Sequence, residues 1–114
     1  MFDFEKLEVY KKAKNINVEI SEFLKSINVD IFLNNQLKRA SLSVLLNIAE
    51  GSGRSTKRDK KNFFIIARGS IFECTSIFDL LFTKKEIEIE KYNYFYNQLE
   101  EISKMLYGLI KTHE

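Results

Sequence analysis

Apolar residues recur along this chain at three- and four-residue intervals and nowhere alternate with period two. Leu7, Tyr10, Ala13, Ile16, Ile20, Phe23, Leu24 and Ile27 form the first series, which is one face of a helix. Asn28-Val29-Asp30 breaks it, because Asn and Asp favour local side-chain bonds over helix. Leu33, Leu37, Ala40, Val44 and Ile48 form the second series, closed by Gly51-Ser52-Gly53, where glycine tolerates the left-handed conformation that ends helices. Thr56 opens a third. Its hydroxyl can accept from the Asp59 amide three residues on, and the Asp59 carboxylate can reach back in turn. The third series runs unbroken to Thr83, and Lys84 and Lys85 suit the negative end of that helix. Tyr92, Phe95, Leu99, Ile102, Leu106, Leu109 and Ile110 make the fourth. The pattern predicts helices over about 4–26, 33–51, 57–83 and 88–111. With short joints between them, the expected fold is all-α, an antiparallel up-down four-helix bundle.

The third helix is apolar around much of its circumference. At about 100° per residue, Phe63, Ile66, Ala67, Ser70, Cys74, Ile77 and Leu81 share one side. Phe64, Ile71, Phe78 and Phe82 widen that arc, while Ile65 and Phe72 lie opposite. A helix of this kind is buried on more than one side. The expectation is therefore a homo-oligomer with Phe64, Phe72, Phe78 and Phe82 at the subunit interface. A general excess of Phe and Ile is the plainer alternative.

Composition agrees with this picture. At 114 residues the chain suits one domain spanning 1–114, burying roughly two thirds of its unfolded surface. Proline is absent, where average usage would place about six, and its absence favours uninterrupted helices. One cysteine, Cys74, permits no internal disulfide, which fits a reduced compartment. The acidic start lacks the basic and apolar regions of a signal peptide, and the longest uncharged stretch, Ala40 to Ala49, is half a membrane span. A cytoplasmic protein without membrane association is expected.

Charge is unevenly spread. The net +2 divides into −1 over residues 1–32, +6 over 33–85 and −3 over 86–114. Within the positive middle, Arg54, Lys57, Arg58, Lys60 and Lys61 crowd the joint between the second and third helices. Such asymmetry points to an anionic partner, against the commoner alternative of a solvated face.

Catalytic chemistry finds little support. The Gly51-Ser52-Gly53-Arg54-Ser55-Thr56 joint lacks the spacing, lysine and preceding strand of a P-loop, and the third glycine of a dinucleotide fingerprint. The sole histidine, His113, is near the end, so neither paired Glu-x-x-His metal motifs nor a zinc ligand set can be assembled. Cys74 points into the apolar arc and has no histidine base, which suits a small core residue. No cofactor, metal or small-molecule substrate is expected. Glu73 falls between Ile66 and Leu80 on the wheel, and Glu50 shares a stripe with Arg39 and Ser43. A buried carboxylate must be paired. The expectation is a structural charge network in which Glu50 and Glu73 meet Arg39, Arg54 or Arg68, with a paired acid and base as the functional alternative.

Four stretches, "FEKLEVYKKAKNI", "QLKRASLSVLLNIAEGSGR", "FFIIARGSIFE" and "KMLYGLI", together resemble the 23S rRNA intervening-sequence proteins. The most specific positions are Asn47-Ile48-Ala49-Glu50-Gly51, Gly53-Arg54, Ala67, Gly69-Ser70 and Glu73. The joint between helices one and two is shorter here and lacks the proline often found there. The resemblance implies a bacterial, left-handed four-helix bundle assembled as a ring-shaped homopentamer. It also implies kinship with the accessory protein of diversity-generating retroelements, which partners a reverse transcriptase and binds nucleic acid.

Two functions follow as expectations. In the first, the chain binds RNA or DNA non-enzymatically, with Arg54, Lys57, Arg58, Lys60 and Lys61 on phosphates and Lys38, Arg39 and Arg68 as additions. Phosphate contacts give affinity without sequence choice, and no aromatic is identifiable from sequence as exposed for base stacking. In the second, the chain is an adaptor ring that holds a partner protein such as a reverse transcriptase.

Overall fold

The computed structural model describes residues 1–114 and contains no strand. A single 3-10 turn, Asp3–Lys6, precedes four helices: α1 (Glu8–Ser26), α2 (Ile31–Ser52), α3 (Lys57–Thr83) and α4 (Ile89–Thr112). The starts of α2 and α3 are capped by side chains. Asp30 accepts from the Leu33 amide at 3.1 Å, and Thr56 accepts from the Asp59 amide at 3.1 Å. The second is the expected cap of α3, although the Asp59 carboxylate makes no return bond. Leu7 is extended (φ −76°, ψ 126°), which separates the opening turn from α1 where one continuous helix is expected.

The ends are made differently from the sequence expectation. No glycine has a positive φ, so the α2 end uses none of glycine's left-handed freedom. The left-handed residue is instead Lys85, with φ 60°. Its amide donates to the Phe82 carbonyl and the Glu86 amide to the Leu81 carbonyl, each at 2.9 Å. That pair of bonds closes α3 as a Schellman motif.

The helices pack α1 on α2, α2 on α3, α3 on α4 and α1 on α4, the α2–α3 contact being the most extensive. One apolar cluster fills the centre, with Ile16 and Ile20 from α1, Leu37 and Ile48 from α2, Phe64, Ile71, Cys74 and Phe78 from α3, and Phe95, Leu99 and Ile102 from α4. Phe78 stacks on Phe95 with ring centroids 4.7 Å apart, and Phe23 tilts against Phe95 at 5.2 Å. Between α2 and α3 the Ser43 and Ser70 hydroxyls lie 2.8 Å apart, and within α2 the Asn47 amide donates to the Ser43 hydroxyl at 3.1 Å and so holds it in place. Asn17 donates to Ser41 at 3.0 Å between α1 and α2. These short polar side chains fix register across interfaces that apolar packing alone would let slide. No helix is long and apolar enough to cross a membrane.

Burial corrects the assignment of α3. Phe64 and Phe78 are 2% and 0% exposed, because α4 covers the flank of the apolar arc on which they sit. Phe82 is half-buried and stacks on Tyr92 at 4.7 Å. Neither Phe64 nor Phe78 can therefore meet a second subunit. Of the four phenylalanines expected at an interface, Phe72 alone is open, at 58%.

Candidate nucleic-acid interface

The α2–α3 turn does gather the five bases, but it uses them unequally. Lys60 donates from Nζ to the Ser52 carbonyl at 2.7 Å, which satisfies one of the free carbonyls at the end of α2. Lys61 reaches Glu114 at 3.7 Å and ties the start of α3 to the end of α4. Arg54 lies 4.5 Å from the Phe63 ring and 3.4 Å from Glu50. Lys57 and Arg58 occupy the first turn of α3, are exposed, and enter no ion pair. Two cations are therefore free, one is shared with a carboxylate, and two hold the fold together. The anchoring role of Lys60 is not visible in sequence, because it depends on how the turn swings the α2 carbonyls toward α3. A lysine eight residues beyond a helix end is at most a hint.

Of the expected charge network only the Glu50–Arg54 pair is assembled within the chain. Glu50 pairs with Arg54 one turn on, both well exposed at 56% and 44% of their side chains. A pair that open contributes at most about 1 kcal/mol. Glu73 is exposed rather than buried, because Ser70 faces α2 through Ser43 and Glu73 falls to one side of it, between the exposed Ile66 and Leu80. Arg39 is exposed and unpaired. Arg68 lies on the other flank of α3, where Nε donates to the Ser103 carbonyl of α4 at 3.3 Å. Lys38 is exposed on α2.

Cys74 is fully buried, and burial, aided by the charge of Glu73, pushes its thiol up to about 12. It carries no thiolate near neutrality and behaves as a core residue. His113 packs on Phe64 at 5.5 Å and contacts the Leu109 carbonyl through Nδ1 at 2.7 Å, so it belongs to the end of α4. No three His, Cys, Asp or Glu residues are grouped to hold a metal ion.

The structure also reveals exposed aromatics that the sequence left unidentified. Phe72 and Tyr107 are 58% and 49% open, and both lie against Arg68. The three- and four-residue spacing places Phe72 outside the α3 core arc, but nothing in the sequence pairs it with Tyr107.

An all-α bundle of four helices with a basic turn between its second and third helices defines the class of protein. The chain belongs to the 23S rRNA-intervening sequence protein family, whose profile matches residues 5–108. It is similar to a crystal structure of a protein with unknown function from the S23 ribosomal protein family of Bacteroides thetaiotaomicron. The two share 27% identity and a TM-score of 0.85 over 90% of this chain and 98% of that one. No curated protein matches the chain.

Proposed function

We propose that this protein is a non-enzymatic, self-associating bundle that binds RNA or DNA with little sequence selectivity through the turn between α2 and α3. Lys57 and Arg58 carry the proposal: two adjacent exposed cations without carboxylate partners, at the positive end of a long helix and next to Arg54. The bundle is antiparallel, up-down and left-handed in this reading. Cross-helix pairs support the antiparallel part: Lys12 with Glu101 and Glu19 with Tyr94 run in opposite order along α1 and α4. A ring of five is the assembly that family resemblance implies, and the exposed apolar side chains of α2 and α3 supply the surface for it.

Titration of labelled RNA at several salt concentrations tests the binding. Replacing Lys57 and Arg58 with alanine should remove most of the affinity and flatten the salt slope by about two, at roughly one unit for each phosphate no longer neutralised. Mass and helicity should not change. Replacing Lys60 should instead lower thermal stability, since its ammonium holds the end of α2. Unchanged affinity in the Lys57/Arg58 variant at matched salt would reject the turn as the site. The apolar flank formed by Leu42, Leu46, Ile66 and Leu80 would then favour an adaptor that holds a protein such as a reverse transcriptase.

A further inference from the structure

Arg68 is held in a way that its packing role does not require. Nε donates to the Ser103 carbonyl, while the guanidinium carbon stands 5.0 Å from the Phe72 ring centroid and 5.3 Å from that of Tyr107. The two Nη groups have no acceptor within the chain. Lys111 lies 5.7 Å from the Tyr107 centroid on the same helix. Two depressions meet at Arg68 and Phe72. One of about 530 Å³ runs toward Tyr96 and Lys104, and one of about 310 Å³ runs toward Ile65 and Ile110.

The face continues to the basic turn. Lys57, Lys61, Ile65, Arg68 and Phe72 follow at three- and four-residue intervals, which keeps them on one side of α3. Lys104, Tyr107 and Lys111 do the same on α4, where Lys104 pairs with Glu100 at 3.8 Å and Lys111 with Glu114 at 3.4 Å. The fifteen helical steps from Lys57 to Phe72 make a track of about 22 Å, with cations along its length and the open rings of Phe72 and Tyr107 beside Arg68 at its end. An unpaired strand offers the matching combination of phosphate and base face. A duplex stacks its bases against one another and leaves the rings nothing to cover. A guanidinium fixed by one bond, with its remaining donors free, suits phosphate oxygens, and exposed rings accept bases regardless of sequence. Asp79 and Glu100 border the larger depression and repel phosphate there, which sets the end of the track.

We propose that the α3–α4 face is a binding track for single-stranded nucleic acid, in which Phe72 and Tyr107 stack on bases while Arg68 and Lys57 hold the backbone. The track rests on the nucleic-acid reading above and adds the strandedness of the ligand and the residues that select it.

Fluorescence anisotropy with a labelled oligouridylate and with a hairpin duplex of equal phosphate count separates the two. The parent should bind the single strand more tightly. Phe72→Ala and Tyr107→Ala should each weaken single-strand binding by roughly 5- to 100-fold, with duplex binding and salt slope unchanged. Phe72→Tyr should retain the parent affinity, and open positions of this kind allow all three variants to fold. Equal affinity of the parent for both probes, or alanine variants that bind the single strand like the parent, would overturn the track while leaving the basic turn in place. A loss of oligomeric mass in Phe72→Ala would also overturn it, by assigning the ring to a subunit contact. Failure of both probes to bind the parent would reject the nucleic-acid reading itself.

Discussion

Lys85 is the only non-glycine residue of the chain with a positive φ. Its φ of 60° is the left-handed region, where an L side chain crowds the following carbonyl by about 1–2 kcal/mol. The position is nevertheless needed, because the Lys85 and Glu86 amides turn back onto the Phe82 and Leu81 carbonyls and deliver Ile87 to the core. Lys85→Gly should relieve that crowding. After allowance for the greater freedom of glycine in the unfolded chain, stability should rise by about 0.5–1 kcal/mol. Chemical denaturation should show a higher midpoint with an unchanged slope. The absence of any change would mean that the lysine side chain itself stabilises the end of α3, by its favourable charge at the negative helix terminus. Sequence spacing places Lys84 and Lys85 correctly at this end, yet it points to the glycines for the left-handed residue, because only glycine adopts that conformation without crowding.

At the scale of elements, Gly51 shows why α2 and α3 approach so closely near the turn. Its backbone is ordinary, but a Cβ there would stand 2.9 Å from the Phe63 Cβ and 3.0 Å from the Phe64 ring. The glycine is therefore a spacer between two helices. Gly51→Ala should destabilise the bundle by about 1–3 kcal/mol through overpacking, whereas Gly53→Ala, with nothing nearer than 3.7 Å, should be far milder. A comparison of the two melting temperatures decides the matter, and equal effects would argue against the spacer role. Helix boundaries are legible wherever a cap and an apolar period coincide. Thr56 and Lys84 bracket α3 as the pattern predicts, whereas α2 starts two residues early because Ile31 and Phe32 are helical yet exposed, outside any period. The division of labour among the five basic residues is not legible. It depends on Lys60 meeting a backbone carbonyl and on Lys61 meeting Glu114, and neither interaction leaves a trace in spacing.

For the whole molecule, one stretch of unmatched apolar surface lies on the flank shared by α2 and α3. Leu42 and Leu46 stand one turn apart on α2, and Ile66 and Leu80 lie on α3, all between 44% and 55% exposed. The Ser43–Ser70 contact sets the register, so Arg39 and Glu73, one turn to the same side of it on each helix, come to similar heights. Both are exposed, and neither is in an ion pair. An apolar stripe bearing one free cation and one free anion is self-complementary. When α2 of one copy lies along α3 of another, each arginine can face a glutamate while the leucines and isoleucines leave water. Light scattering at micromolar concentration should therefore give several times the 13.4 kDa of the monomer. Leu46→Glu combined with Ile66→Glu should reduce it to the monomer with helicity intact. Arg39→Glu and Glu73→Arg should each dissociate the assembly alone, and mixing the two variants should return multimers, because alternating copies then meet with opposite charges, an odd-numbered ring staying open at its one like-charged contact. A pairing confined within one chain predicts no recovery on mixing, since each variant chain still carries two like charges. That outcome would remove the α2–α3 flank from the assembly, whatever mass the parent shows.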